Sequence, residues 1–167
     1  MKSAIIVLLC CIVAGPALAQ EPAGCDKFKW PIDQERGLLT SKALPTMASG
    51  NSVTSALPSA VTVTLAPWAD AKLPMAPERA PRLPASFAGF IQVAAPAHEG
   101  VYKISLSSDA WIDVVQNGHL VKSTTFSGAT GCEGIRKSVK FDLHAEPFVV
   151  QFSNAPANSI GVAISGD

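Results

Sequence analysis

The stretch Ala110-Trp111-Ile112-Asp113-Val114-Val115-Gln116-Asn117-Gly118-His119 decides how the chain is read. Asn117-Gly118 tolerates the positive φ angles of a tight hairpin turn, and the apolar runs on either side predict paired strands over Trp111–Gln116 and His119–Phe126. Upstream, Val101–Ser107 puts Tyr102, Ile104 and Leu106 on one face and Lys103, Ser105 and Ser107 on the other. That alternation marks a half-buried antiparallel strand. The same period recurs over Val61–Leu65, Phe90–Ala94, Lys137–Leu143, Phe148–Phe152 and Ser159–Ser165. Eight short strands with turn residues between them predict an all-β fold, an antiparallel β-sandwich of jelly-roll-like character spanning residues 61–167.

The front of the chain is built differently. Met1-Lys2-Ser3, the apolar block Ala4–Val13 and Ala17-Leu18-Ala19 have the three-part layout of a secretory signal peptide, so residues 1–19 are expected to be removed. The block is shorter than the roughly 20 residues that a spanning helix needs, so no stable membrane insertion is expected after cleavage. Export implies a periplasmic or secreted protein. Without Lys2, 12 Lys and Arg face 13 Asp and Glu, a balance that offers no reason to expect nucleic acid as a partner.

Cleavage also removes Cys10 and Cys11, leaving Cys25 and Cys132. In an oxidising compartment a lone pair is expected to form one disulfide, tying the mature N-terminus to the loop after the central hairpin. Between Cys25 and Thr40, Pro31 and the acids Asp33 and Glu35 suit the first turn of a short helix, with Ile32 and Leu39 at helical spacing, in an N-terminal helical segment of residues 20–40. Residues 41–60, rich in Ser, Thr, Ala and Pro, are expected to be a linker or mobile surface loop. Pro67, Pro74, Pro77, Pro81 and Pro84 make the next stretch extended and poor in backbone donors, an irregular arm laid across the surface.

Chemistry-bearing patterns are sparse. Gly-x-Ser-x-Gly is missing from the sequence, and the segment Gly128–Gly134 has neither the Lys nor the helix of a phosphate loop. His98, His119 and His144 each lie near an acid and form the candidate ligand set for a non-haem iron, although their spacing matches no compact metal motif. The alternation of β-strands puts Trp111 and Asp113 on one face, where an outward indole beside a carboxylate would stack and hydrogen-bond a sugar. With Gln116 and Arg136 they form the candidate binding set. The alternative is a core or rim Trp111, with Asp113 paired to Lys103, Arg136 or Lys140 across the sheet.

Cys25-Asp26-Lys27-Phe28-Lys29-Trp30-Pro31, Glu35-Arg36, Ala110–Val114 and Cys132–Phe141 together resemble a family of small exported bacterial proteins. Some of its members carry the label homogentisate 1,2-dioxygenase. The enzyme of that name is larger and cytosolic, and its iron site of His and Glu has no counterpart pattern here. The resemblance therefore implies the Cys25–Cys132 pairing and a shared fold rather than an activity. The reading that follows is an exported, non-catalytic β-sandwich of the cell envelope, a binding or accessory module without a cofactor, whose partner is an envelope component or glycan. The alternative reading is a small non-haem iron oxygenase.

Overall fold

A computed structural model describes residues 21–83 and 85–167; the expected leader, 1–19, lies outside the described residues. Two mixed sheets pack face to face. The first runs β1 (Thr46–Ala48), β3 (Ser59–Thr64), β12 (Ser159–Gly166), β6 (Gly100–Leu106), β10 (Lys137–Leu143) and β9 (Ser123–Gly128). The second runs β2 (Ser52–Val53), β5 (Phe87–Val93), β11 (Phe148–Ala155), β7 (Trp111–Gln116) and β8 (His119–Val121), with β4 (Ala66–Pro67) added on β5. The period-2 pattern explains the packing. Tyr102, Ile104, Leu106, Val139, Phe141, Leu143, Ile160, Val162 and Ile164 meet Ile91, Val93, Val114, Phe148, Val150 and Phe152 in one continuous core. Each such side chain contributes about 1.5–3 kcal/mol by leaving water.

The hairpin turn is as the sequence predicts: Asn117 has φ 54° and Gly118 φ 75°, both left-handed. Asn117→Ala puts a side chain with no local hydrogen-bonding capacity there. It should cost about 1 kcal/mol, read as a lower urea midpoint at unchanged slope.

Three features differ from the sequence reading. The strand expected over His119–Phe126 is divided at Lys122, with β8 in the second sheet and β9 in the first. One continuous strand would have kept both halves in the same sheet; crossing here closes one side of the sandwich. Residues 41–60, expected to be an unstructured linker, contribute β1 and β2 and close the other side. Composition misleads here because backbone bonding to neighbouring strands, rather than apolar burial alone, orders this segment. Ser49 donates its N–H to Thr64, Gly50 to Phe90, and Asn51 accepts from Gln92. Gly50, at φ 92°, makes the crossing between the sheets. Finally, the sheets are not wholly antiparallel, because β1 runs parallel to β3 and β2 parallel to β5.

A cap covers the outer face of the first sheet. The helix α1 (Asp33–Leu39) presses Leu39, with Ile32 before it, against Cys132, Ile135 and Ala163. Cys25 and Cys132 form a disulfide with a Cα–Cα distance of 4.8 Å. Under the helix Glu35 is fully buried, its Oε1 2.9 Å from Lys103 Nζ and accepting the Ser165 hydroxyl.

The proline-rich arm crosses the outer face of the second sheet. The Gln151 carboxamide accepts the Met75 N–H at 2.8 Å and donates to the Met75 carbonyl at 3.2 Å, so the side chain acts as one rung of a β-ladder. Asn154 Oδ1 accepts the N–H groups of Arg82 and Leu83 at 2.7 and 3.0 Å.

Candidate functional site

β8 pairs with β7 only at Val114, Val115 and Gln116, so Trp111–Asp113 is left without a neighbour on that side. The chain's departure into the other sheet opens a cleft of about 110 Å³ at the margin of the sandwich. Trp111 and Asp113 line it from β7, Phe126 and Lys137 from β9 and β10, and Glu78 and Arg79 from the arm. A wider groove of about 400 Å³ lies on the same sheet near Val53, Gln92, Val115 and Val149, but its lining has no charged residue. A third groove, of about 510 Å³, runs along the cap by Asp26, Lys29, Asp33 and Arg36, whereas the smaller cleft gathers charge around Trp111 and Asp113.

Trp111 is half-buried and surrounded by cations. The Arg79 and Arg82 guanidinium carbons lie 4.6 and 4.9 Å from its ring centroid, and Lys137 Nζ lies 4.8 Å away. Each contact is worth roughly 0.5–2 kcal/mol, depending on how dry it is. Lys137 also donates to the Ala110 carbonyl at 2.8 Å. The indole N–H is buried with no acceptor among the described residues, and so is the hydroxyl of Ser153, which faces Trp111 directly across the β11–β7 ladder.

Asp113 is 8% exposed. Burial pushes its carboxyl above the usual range; the Glu78 backbone N–H opposes this, the Glu78 carboxylate adds to it, and Arg79 and Lys137 pull it back without cancelling it. Burial likewise pulls the Lys137 ammonium below its usual value; Asp109 opposes this, while Arg79 and Arg136 reinforce it. The cleft thus brings a buried carboxyl beside the Arg79 guanidinium and the Lys137 ammonium, with Arg82 and the buried indole N–H of Trp111 next to them. Such a wall suits binding of a polar group by hydrogen bonds and charge.

Of the candidate residues, the structure brings Trp111 and Asp113 together. Gln116 lies on the opposite face of β7, and its carboxamide donates to the carbonyls of His144 and Glu146 and accepts the His144 N–H. Arg136 is held 2.6 Å from the Glu21 carboxylate. The cross-sheet partners considered for Asp113 are engaged elsewhere, Lys103 with Glu35 and Lys140 with Asp167. Trp111 is neither a free platform nor a core residue, since it sits at the rim with its faces against cations. His144 lies 3.8 Å from Glu99, with both side chains well exposed, and His119 is exposed beside the hairpin turn. The carbonyl of His98 accepts the Tyr102 hydroxyl at 2.7 Å. Among the described residues no three His, Cys, Asp or Glu side chains converge in a way that could hold a metal ion.

Glu78, Arg79 and Arg82 were not legible as site residues. The signal was a small cluster of charge within the arm, and nothing local says which strand such an arm crosses. Among the described residues no helix is long and apolar enough to cross a membrane. Comparison with protein-family models, curated proteins and solved structures finds no match to this chain.

Proposed function

We propose that the protein works outside the cytoplasm, in the periplasm or secreted, as a non-catalytic binding or accessory module of the cell envelope that engages its partner at the Trp111–Asp113 cleft. The leader-like N-terminus and the Cys25–Cys132 disulfide support the location, since such bonds persist in oxidising compartments. The resemblance to small exported bacterial proteins supports it as well. The observation that carries the binding reading is the cleft itself. An aromatic residue, a buried carboxyl and several cations converge where the sandwich opens, roofed by an arm with no regular structure of its own.

Retention of the mature protein on isolated peptidoglycan and envelope polysaccharide tests this reading. Removing the central ring and its contacts should weaken binding by about tenfold or more, the size of effect found at aromatic anchors. Trp111→Ala is therefore expected to elute early from the material that retains the parent protein. Equal retention of the two would clear Trp111 of the role.

A further inference from the structure

Three cations meet at one indole ring, although like charges repel and the ring can offset only part of that repulsion. Lys103, Arg136 and Lys140 each hold a carboxylate. Arg79, Arg82 and Lys137 make no ion pair among the described residues. Lys29 adds a further cation at the rim, 5.2 Å from the ring centroid of Phe126, which is 62% exposed at the mouth of the cleft. Beside this excess lie two buried polar groups without partners, the indole N–H of Trp111 and the hydroxyl of Ser153. Buried donors without acceptors are uncommon in native folds, so two facing each other across one ladder invite an explanation.

Two acids line the wall. Glu78 is exposed on the arm, and Asp113 is buried, which pushes its carboxyl above the usual range. Asp109 attracts Lys137 from the turn before β7. None of the three acids forms an ion pair with Arg79, Arg82 or Lys137. Arg79, Arg82 and Lys137 are thus left without a carboxylate in salt-bridge contact, although acids lie nearby.

We infer that this cleft receives a single anionic group, a carboxylate or a phosphate, held between Arg79 of the arm and Lys137 beside the Trp111 ring, with Arg82 adding its charge from next to that ring. The inference rests on the reading that the partner is engaged at this cleft, and it names the chemistry recognised there. Size agrees, because a cleft of about 110 Å³ holds the volume of roughly three to four waters, enough for one small oxyanion. A glycan would be recognised by its charged substituent, a uronate or phosphate. Guanidinium groups match such planar or tetrahedral oxygens with paired hydrogen bonds.

The test is an NMR titration of the mature, disulfide-bonded protein labelled with nitrogen-15, following the indole N–H resonances, with Trp111→Phe used to identify that of Trp111. Inorganic phosphate and glucuronate are the free probes, alginate is the polymeric probe, and glucose is the neutral control. A saturable shift of the Trp111 resonance is expected with at least one of the two free anions and none with glucose, while Trp30 and Trp68 stay in place. Arg79→Gln combined with Arg82→Gln, both on the exposed arm, should weaken the response at least tenfold with an unchanged circular dichroism spectrum. Tighter binding of alginate per uronate supports a polymeric source of the anion, and equal binding supports a free one.

No saturable shift with either free anion, or the same affinity in the double variant, would overturn the inference. If Trp111-dependent retention on neutral glycan persists in that case, the anion site fails while the binding reading stands. If that retention is lost too, both fail.

Discussion

Replacing Cys132 with serine is expected to lower the unfolding temperature by roughly 10–20 °C, the largest effect of any single substitution considered. The bond joins positions 107 residues apart, and the chain-entropy relation for a loop of that length gives on the order of 5 kcal/mol. For a domain of this size each kcal/mol moves the midpoint by about 2–4 °C. The loss has a structural locus as well. Cys25 anchors the cap that lays Ile32 and Leu39 on Ile135 and Ala163, and the bond is the covalent tie between the segment before α1 and the loop after β9. The segment's remaining ties are noncovalent, among them Gly24 N–H to the Thr130 carbonyl at 2.8 Å, Thr130 N–H to the Pro22 carbonyl at 2.9 Å, Lys29 N–H to Ser127 Oγ at 2.9 Å and Trp30 Nε1–H to Ser138 Oγ at 3.3 Å. Scanning calorimetry on Cys25→Ser, Cys132→Ser and the double variant should give three equal midpoints, matched by the parent protein in reductant. Midpoints within a few degrees of the oxidised parent would show that the cap holds without its clamp.

The second large effect is expected at Lys103. Glu35 is fully buried beneath α1, and its Oε2 has no partner among the described residues. Burial pushes its carboxyl up, yet the Ser165 hydroxyl and Lys103 ammonium outweigh that push, and the net position is below the usual range. A depressed carboxyl contributes stability that is present above its unfolded value of about 4.3 and lost as the pH falls through its folded value. The parent protein should therefore lose stability below about pH 4, and Glu35→Gln should flatten that limb. Lys103→Met removes the partner and strands the charge, which costs about 3–5 kcal/mol at neutral pH. It should also reverse the slope, because burial without the ammonium raises the carboxyl, and stability then declines as the pH rises past the unfolded value. Denaturant midpoints of the three proteins from pH 3 to 8 check both claims. Glu35→Leu with Lys103→Met should recover most of the loss, since a buried pair replaced by apolar groups of similar volume is often neutral.

Sequence alone carried the sandwich a long way, because most of its strands bury one face and so write their period into the chain. Trp111–Gln116 and Lys137–Leu143 have the predicted limits, and Asn117-Gly118 makes the predicted turn. What escaped notice is held by backbone bonding at the edges. The strand β2 has two residues, and its partner in sequence space is remote, so no local pattern announces it. The change of sheet at Lys122 was equally hidden, since no Gly or Pro between Leu120 and Phe126 marks a break. That same change opens the cleft. Trp111 and Asp113 were legible as a pair on one face, but their environment was not, because it comes from an arm about 30 residues earlier in the chain whose landing place is chosen by Gln151 and Asn154. Gln116 illustrates the converse error: a polar residue at the end of a strand looked available, and the turn at His144–Glu146 had already taken it.

The arm lies over Trp111, and acrylamide quenching of that single indole tests this placement directly. In a Trp30→Phe, Trp68→Phe background, Trp111 should be quenched several-fold less readily than free tryptophan, and Arg79→Ala with Arg82→Ala should bring quenching close to the free value. Quenching of the parent background at the free rate, unchanged when the two arginines are removed, would contradict the roofed cleft and the functions built on it.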